Sequence, residues 1–185
     1  MGEYRNKVRV IAGKYRRRQL AFPDVDGLRP TPDRVRTTLF NWLGAELDGL
    51  VCLDLFAGSG ALGFEAASRG ARRVVMVERD RSALTLLKDN RRMLGADEID
   101  VVSGDALAYL RGARERFDLV FLDPPFGLDL LPALLPLLPG LLAPGARVYL
   151  EAARLPDLAG WRVLKQGSAG AVRYALVEAD VAEPA

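Results

Sequence analysis

The 185-residue sequence contains no histidine and a single cysteine, Cys52. The first absence removes Ser-His-Asp catalysis, histidine-ligated zinc and a histidine general base together. Proton handling falls to carboxylates, tyrosine, lysine or water. The second removes any internal disulfide and fits a reducing compartment. No charge-free apolar run reaches the roughly 18 residues that a bilayer span needs. The longest candidate, Leu128 to Leu142, is broken by Pro132, Pro136, Pro139 and Gly140. The first residues carry charge where a signal peptide would carry an apolar stretch. These absences predict a cytoplasmic protein with no membrane partner and no metal site. Internal repeats and low-complexity tracts are missing as well.

What is present suits a folded domain. Half of the residues are hydrophobic and 27% are charged. That is enough apolar material for one buried core with a small appendage. The net charge of +2 conceals an asymmetry: residues 1–20 carry Arg5, Lys7, Arg9, Lys14, Arg16, Arg17 and Arg18 against Glu3, a balance of +6, which leaves −4 for the rest. A basic arm on a near-neutral domain points to a polyanion, because phosphate contacts supply much of nucleic-acid affinity. A solvated tail has the same composition, so charge alone does not decide between the two.

The arm reads as a hairpin. Val8 to Ala12 is strand-like, Ala12-Gly13-Lys14 is a turn, and Arg17 to Phe22 returns as a second strand. Pro23 to Arg29 reads as a linker. Thr31-Pro32-Asp33 has the form of a helix start, with Thr31 as N-cap and Pro32 at the first helical position. Val35, Leu39, Trp42 and Leu43 follow at helical spacing, with Arg34 and Arg36 off that stripe. From residue 50 strands and helices alternate. Strands are expected at Val51–Leu55, Arg73–Val77, Ile99–Val102, Phe117–Leu122 and Arg147–Leu150. Helices are expected to about Arg69, over Ser82–Leu94 and Ala106–Leu110, and interrupted over Leu130–Leu142. Trp161–Lys165 and Val172–Glu178 form a final antiparallel pair. The pattern predicts an α/β fold: a doubly wound, mostly parallel seven-stranded sheet with a basic N-terminal β-hairpin. The division is residues 1–30 for the arm and 31–185 for the main domain.

Ligands of open α/β sheets bind at the carboxyl ends of the strands, and polar motifs fall there. Asp54-Leu55-Phe56-Ala57-Gly58-Ser59-Gly60 is a tight glycine turn that lets a ligand approach the backbone. Residues 58–63 also match G-x-G-x-x-G, the fingerprint of dinucleotide binding. Glu78 follows the second strand, where a carboxylate can take both hydroxyls of an adenosine ribose. Asp105, in Gly104-Asp105-Ala106, suits an adenine amino group and equally a helix N-cap. The most specific motif is Asp123-Pro124-Pro125-Phe126. Its prolines lack N–H groups and fix the chain, so their carbonyls stay free as acceptors. Asp123 adds carboxylate oxygens, and Phe126 adds an aromatic face. A planar amino group on an unstacked base needs two acceptors and a stacking partner of this kind.

These residues resemble the class I S-adenosylmethionine-dependent methyltransferases, in the branch with the (Asp/Asn)-Pro-Pro-(Phe/Tyr/Trp) motif. The segments Val10–Arg16, Leu28–Thr31, Asp33–Arg36, Leu39–Leu43 and Asp54–Leu62 are similar to the bacterial 16S rRNA guanine-N2 methyltransferases of the RsmD type. The likeness runs in order from about residue 8 to 178, departing at Pro32, where a threonine is usual, and at Thr37, where an acid is expected. It implies S-adenosylmethionine as cofactor, held by Asp54, Phe56, Ala57, Gly58, Ser59 and Gly60 at its methionine part, Glu78 at the ribose, and Asp105 and Ala106 at the adenine. It implies that Asp123 and the Pro124 carbonyl bind the target amino group, with Pro125 bracing the motif and Phe126 against guanine. Lys14, Arg16, Arg17, Arg18, Arg29, Arg34 and Arg36 would hold RNA phosphates. The expected partner is 16S rRNA or the small ribosomal subunit, and the expected state is a monomer.

Direct transfer to an amino nitrogen requires no covalent intermediate. Cytosine C5 methylation would need a cysteine nucleophile at the site, and Cys52 lies inside the first main strand. The competing readings are an NAD-dependent oxidoreductase, a non-catalytic RNA-binding factor, and the same chemistry on DNA adenine or protein glutamine.

Overall fold

The computed structural model describes residues 6–180. Glu3 and Arg5 of the basic arm lie outside the described residues. The elements run β1 (Asn6–Arg9), β2 (Gln19–Phe22), α1 (Asp33–Leu43), β3 (Val51–Asp54), α2 (Ala61–Ser68), β4 (Arg73–Glu78), α3 (Arg81–Leu94), β5 (Ile99–Ser103), α4 (Ala106–Gly112), β6 (Phe117–Leu122), α5 (Leu131–Leu134), β7 (Leu142–Ala152), β8 (Trp161–Ala169) and β9 (Val172–Ala179). The main sheet has seven strands in the order β5-β4-β3-β6-β7-β9-β8. β3 to β7 are parallel, and β9 and β8 close the edge antiparallel. The expected α/β doubly wound sheet is therefore the observed one.

Both faces of the parallel part of the sheet are buried, as such a sheet requires, whereas the edge strand β8 has no buried residue. Cys52, Val74, Met76, Leu119, Phe121 and Tyr149 point to one core, under α1, α2 and the hairpin. Leu53, Val75, Val77, Val120, Leu122 and Leu150 point to the other, under α4 and α5. Burial raises the Cys52 thiol pKa to about 12, which leaves it an unreactive core residue.

The hairpin packs onto the main body. Val8, Val10, Tyr15, Leu20 and Phe22 join the core under α2, and the Asn90 side chain of α3 bonds both the N–H and the carbonyl of Ala21. At the hairpin turn, Gly13 has φ +80°, and a Cβ there would lie 1.8 Å from the Ser68 carbonyl oxygen. Only glycine permits that approach. It lets Lys14 N–H donate to the Ser68 carbonyl at 2.7 Å and Tyr15 N–H to the Ser68 hydroxyl at 2.8 Å.

Several boundaries differ from expectation for identifiable reasons. β1 and β2 are shorter than the runs that suggested them. Glu78 is the last residue of β4 rather than the residue beyond it. The prolines reduce the expected helix over Leu130–Leu142 to a four-residue α5 and two single 3₁₀ turns. β7 is longer at both ends than Arg147–Leu150 and carries Glu151 within it.

Candidate active site

The order of the sheet reverses between β3 and β6, the switch point at which such folds bind ligands. A cleft of about 800 Å³ opens there. From β5 across to β7, each of the five parallel strands brings one acid to its wall: Asp105, Glu78, Asp54, Asp123 and Glu151. The first four were expected from the sequence. Glu151 was not, although an acid directly after the apolar run Val148–Leu150 was the available signal.

The glycine turn shapes one end of the cleft. Gly60 has φ +80°, and a Cβ on it would come within 2.6 Å of the Phe64 ring. Gly60 N–H donates to the Ala57 carbonyl at 2.7 Å, which tightens the turn into α2. Phe56, Ala57, Gly58 and Ser59 face the cleft, with Gly60 set behind them. The Asp54 carboxylate accepts from Gly63 N–H at 3.0 Å, in the first turn of α2, where the helix dipole favours an anion. Burial nonetheless raises its pKa to about 7. Glu78 accepts from Gly58 N–H with one oxygen and from Arg79 and Asp80 N–H with the other, all at 2.8 Å. It thereby ties the β4 end to the glycine turn. Asp105 is the N-cap of α4, accepting from Ala108 N–H at 3.0 Å, and Ala106 sits beside it on the cleft wall.

At the other end, Asp123 lies half-buried and Pro124 buried, whereas Phe126 is 55% exposed. Such exposure is unusual for a phenylalanine and leaves its ring free to stack. Thr31 is buried, and its hydroxyl donates to Asp123 Oδ2 at 3.1 Å. This corrects its expected role: Pro32 is the N-cap of α1, and that cap has no side-chain hydrogen bond. The segment expected to be a linker also lines the cleft, from Val25 to Arg29, and Pro30 and Thr31 continue that wall. Burial, and then the charge of Glu151, push the Asp123 carboxyl well above its ordinary range; the Thr31 hydroxyl opposes that shift. Glu151 is likewise raised by burial.

The residues expected to meet RNA fall into three groups. Lys14, Arg16, Arg17 and Arg18 are exposed on the hairpin turn, at the end of α2 away from the cleft. Arg29 lines the cleft and Arg34 is exposed on α1. Arg36 departs from expectation. It is 1% exposed, and its guanidinium bonds the carbonyls of Thr31 and Arg9 and faces the fully buried Glu65 at 3.6 Å. It braces the hairpin against α1 and α2 and is not a surface cation.

Among the described residues no group of histidine, cysteine and acidic side chains could hold a metal ion, and no helix is long and apolar enough to cross a membrane.

Known proteins give this geometry a context. The family described as Conserved hypothetical protein 95 matches residues 8–178. A protein of Haemophilus influenzae named Ribosomal RNA small subunit methyltransferase D is 40% identical over 183 residues, covering 94% of this chain and 95% of that one. Its namesake in Escherichia coli K12 is 42% identical over 178 residues, covering 93% and 90%. A solved Escherichia coli structure described as the methyltransferase yhhF superposes with a TM-score of 0.86 at 41% identity, covering 95% of this chain and 99% of that one. A Geobacter metallireducens precorrin methyltransferase, at 21% identity and a TM-score of 0.65, shares the fold over 84% of this chain and 92% of its own. The fold is that of the class I methyltransferases, and the chain belongs to the Conserved hypothetical protein 95 family, that of the small-subunit ribosomal RNA methyltransferases D.

Proposed function

We propose that the protein transfers a methyl group from S-adenosylmethionine to the exocyclic N2 of a guanine in 16S rRNA, acting as a monomer in the cytoplasm. The observation that carries the reading is Asp123-Pro124-Pro125-Phe126 at the switch point, with an acceptor-rich floor and an exposed ring, next to a glycine turn braced by Glu78. The relatives' names support ribosomal RNA as the substrate.

The cleft fits this cofactor by the chemistry of its walls. S-adenosylmethionine carries a sulfonium and an ammonium group, and a row of carboxylates attracts both. The same row repels the pyrophosphate of NAD, which argues against the oxidoreductase reading. Asp54 and the turn from Phe56 to Gly60 would hold the methionine part, Glu78 the ribose, and Asp105 and Ala106 the adenine. The cofactor supplies a methyl group made electrophilic by its sulfonium.

Guanine N2 is a poor nucleophile because its lone pair is delocalised into the ring. Asp123 and the Pro124 carbonyl would accept its two N–H groups. That favours a pyramidal nitrogen, directs the lone pair at the methyl carbon and offsets the positive charge that develops on nitrogen. Phe126 would stack on the base, and fixed placement of the two reactants supplies further acceleration. Once the methyl group had passed from sulfur to nitrogen, the surplus proton would leave the nitrogen to Asp123 or to water. Lys14, Arg16, Arg17, Arg18, Arg29 and Arg34 would hold phosphates.

The deciding experiment is transfer of labelled methyl groups to protein-free 16S rRNA, 30S particles and DNA, followed by nucleoside analysis. The expected label is N2-methylguanosine from one or both rRNA samples. Label in DNA adenine, or no transfer to any of the three, would overturn the reading. Calorimetry with NAD serves as a second check, with no binding expected.

A further inference from the structure

β6 and β7 are parallel, and their register pairs Leu122 with Leu150. The next residues are Asp123, just past the end of β6, and Glu151, within β7, at the ends of strands that lie roughly 4.8 Å apart, and the charge of Glu151 acts on Asp123. Side chains alternate along a strand. Both acids thus follow the face of Phe121 and Tyr149, which share one core, and both line the cleft.

Glu151 is only 3% exposed. The buried Tyr149 hydroxyl, two residues back on the same face, donates to its Oε2 at 2.9 Å. Oε1 takes no hydrogen bond from the described residues, and none of their cations pairs with Glu151. A carboxylate is costly to bury without a counter-charge, and the Tyr149 hydroxyl satisfies only one of its two oxygens. Tyr149 holds one oxygen fixed, which leaves the other for a ligand in the cleft.

We propose that Glu151 is a specificity-determining residue that accepts the N1–H of the target guanine and so selects guanine over adenine. The inference rests on the guanine-N2 reading above. On guanine, N1–H and the N2 amino group are neighbouring donors on one edge. Two acceptors on neighbouring strands match them, Asp123 for the amino group and Glu151 for N1–H. On adenine the amino group is flanked by a bare N1 lone pair. In its ionised form Glu151 repels that lone pair, so the residue that accepts from guanine also disfavours adenine.

The test uses full-length protein and rRNA in which the target guanosine is replaced by 2-aminopurine. That base keeps the amino group at C2 and lacks the N1 proton. The wild type is expected to show kcat/KM about 100-fold lower on the 2-aminopurine RNA. Glu151→Ala should fall about 100-fold on guanine and little on 2-aminopurine, so the two substrates become nearly equal. The missing O6 of 2-aminopurine affects both enzymes alike and drops out of the comparison. Glu151→Gln, which keeps an acceptor oxygen and the side-chain volume, should recover part of the activity on guanine, while its amide N–H can donate to the bare N1 of 2-aminopurine and so keeps the preference narrow. It also carries the test if the alanine variant does not fold. Cofactor affinity by calorimetry reports an intact cleft. A wild type that methylates both RNAs equally, or variants that lose activity equally on both and keep the wild-type ratio, would overturn the proposal. Absence of N2-methylguanosine from the wild-type digest would instead sink the guanine reading, and the role of Glu151 with it.

Discussion

Along the row of strand ends, Asp54, Glu78 and Asp105 take hydrogen bonds from backbone N–H groups, whereas Asp123 and Glu151 take theirs from the hydroxyls of Thr31 and Tyr149. The difference is chemical. A backbone N–H only donates and is held by the fold, so the end of the cleft proposed for the cofactor is set before anything binds. A hydroxyl rotates and can donate or accept, so the end proposed for the base can follow a proton. One end is held by the backbone, and the other by hydroxyls that can turn with a change of proton.

The largest effect should come from the responsive end. Asp123→Ala is expected to lower kcat by about 1,000-fold or more while cofactor affinity by calorimetry stays near the wild-type value. Near-normal turnover would erase the distinction between the two ends. Glu78→Ala should give the opposite signature. It removes the ribose acceptors and the brace on Gly58, so the Kd for S-adenosylmethionine should rise about 100-fold, with a much smaller change in turnover at saturation.

Thr31→Val sharpens the contrast by about tenfold at neutral pH. The Thr31 hydroxyl lowers the proton affinity of Asp123, so its loss raises that affinity further. If the ionised carboxylate is the working form, the rising limb of the pH–rate profile moves to higher pH, and activity returns as the pH is raised. An unmoved limb would assign Thr31 a packing role alone.

The smallest effect concerns stability. Burial raises the Asp54 pKa from 3.8 to about 7, so the free folded protein keeps a proton that the unfolded chain releases. The resulting stabilisation is full below about pH 4 and is lost as the pH rises to about 7, at no more than about 1.4 kcal/mol per pH unit. Asp54→Asn should remove that slope, measured as the change in Tm between pH 5 and pH 8 relative to wild type.

The same contrast explains how much could be read from residues alone. Asp54 and Glu78 are bonded within nine and 20 residues of themselves, so their motifs report their surroundings. The strand and helix alternation is likewise local, and the doubly wound sheet was legible from it. Thr31 meets Asp123 across 92 residues, and local pattern offered only a helix cap for it. Arg36 lies off the apolar stripe of α1 and reads as exposed, yet the hairpin folds back over it and Glu65 receives it. Glu151 was hidden by an expected strand that stopped one residue short of it. Long-range pairing decided each of these, and such pairing leaves no periodic trace.

Helix α2 starts at the glycine turn of the cleft and ends at Ser68, where the hairpin turn is seated without room for a Cβ at Gly13. Its eight residues make a strut roughly 12 Å long between the proposed methyl donor site and the proposed grip on RNA. A strut cannot stretch, so the gap between where the nucleic acid is held and where it is altered is a fixed gauge. One residue inserted into α2 would turn the hairpin about 100° around the helix axis as well as move it outward. Which nucleotide comes within reach is thus partly a matter of helix length, and grafting this hairpin onto another member of the fold would succeed only with its strut attached.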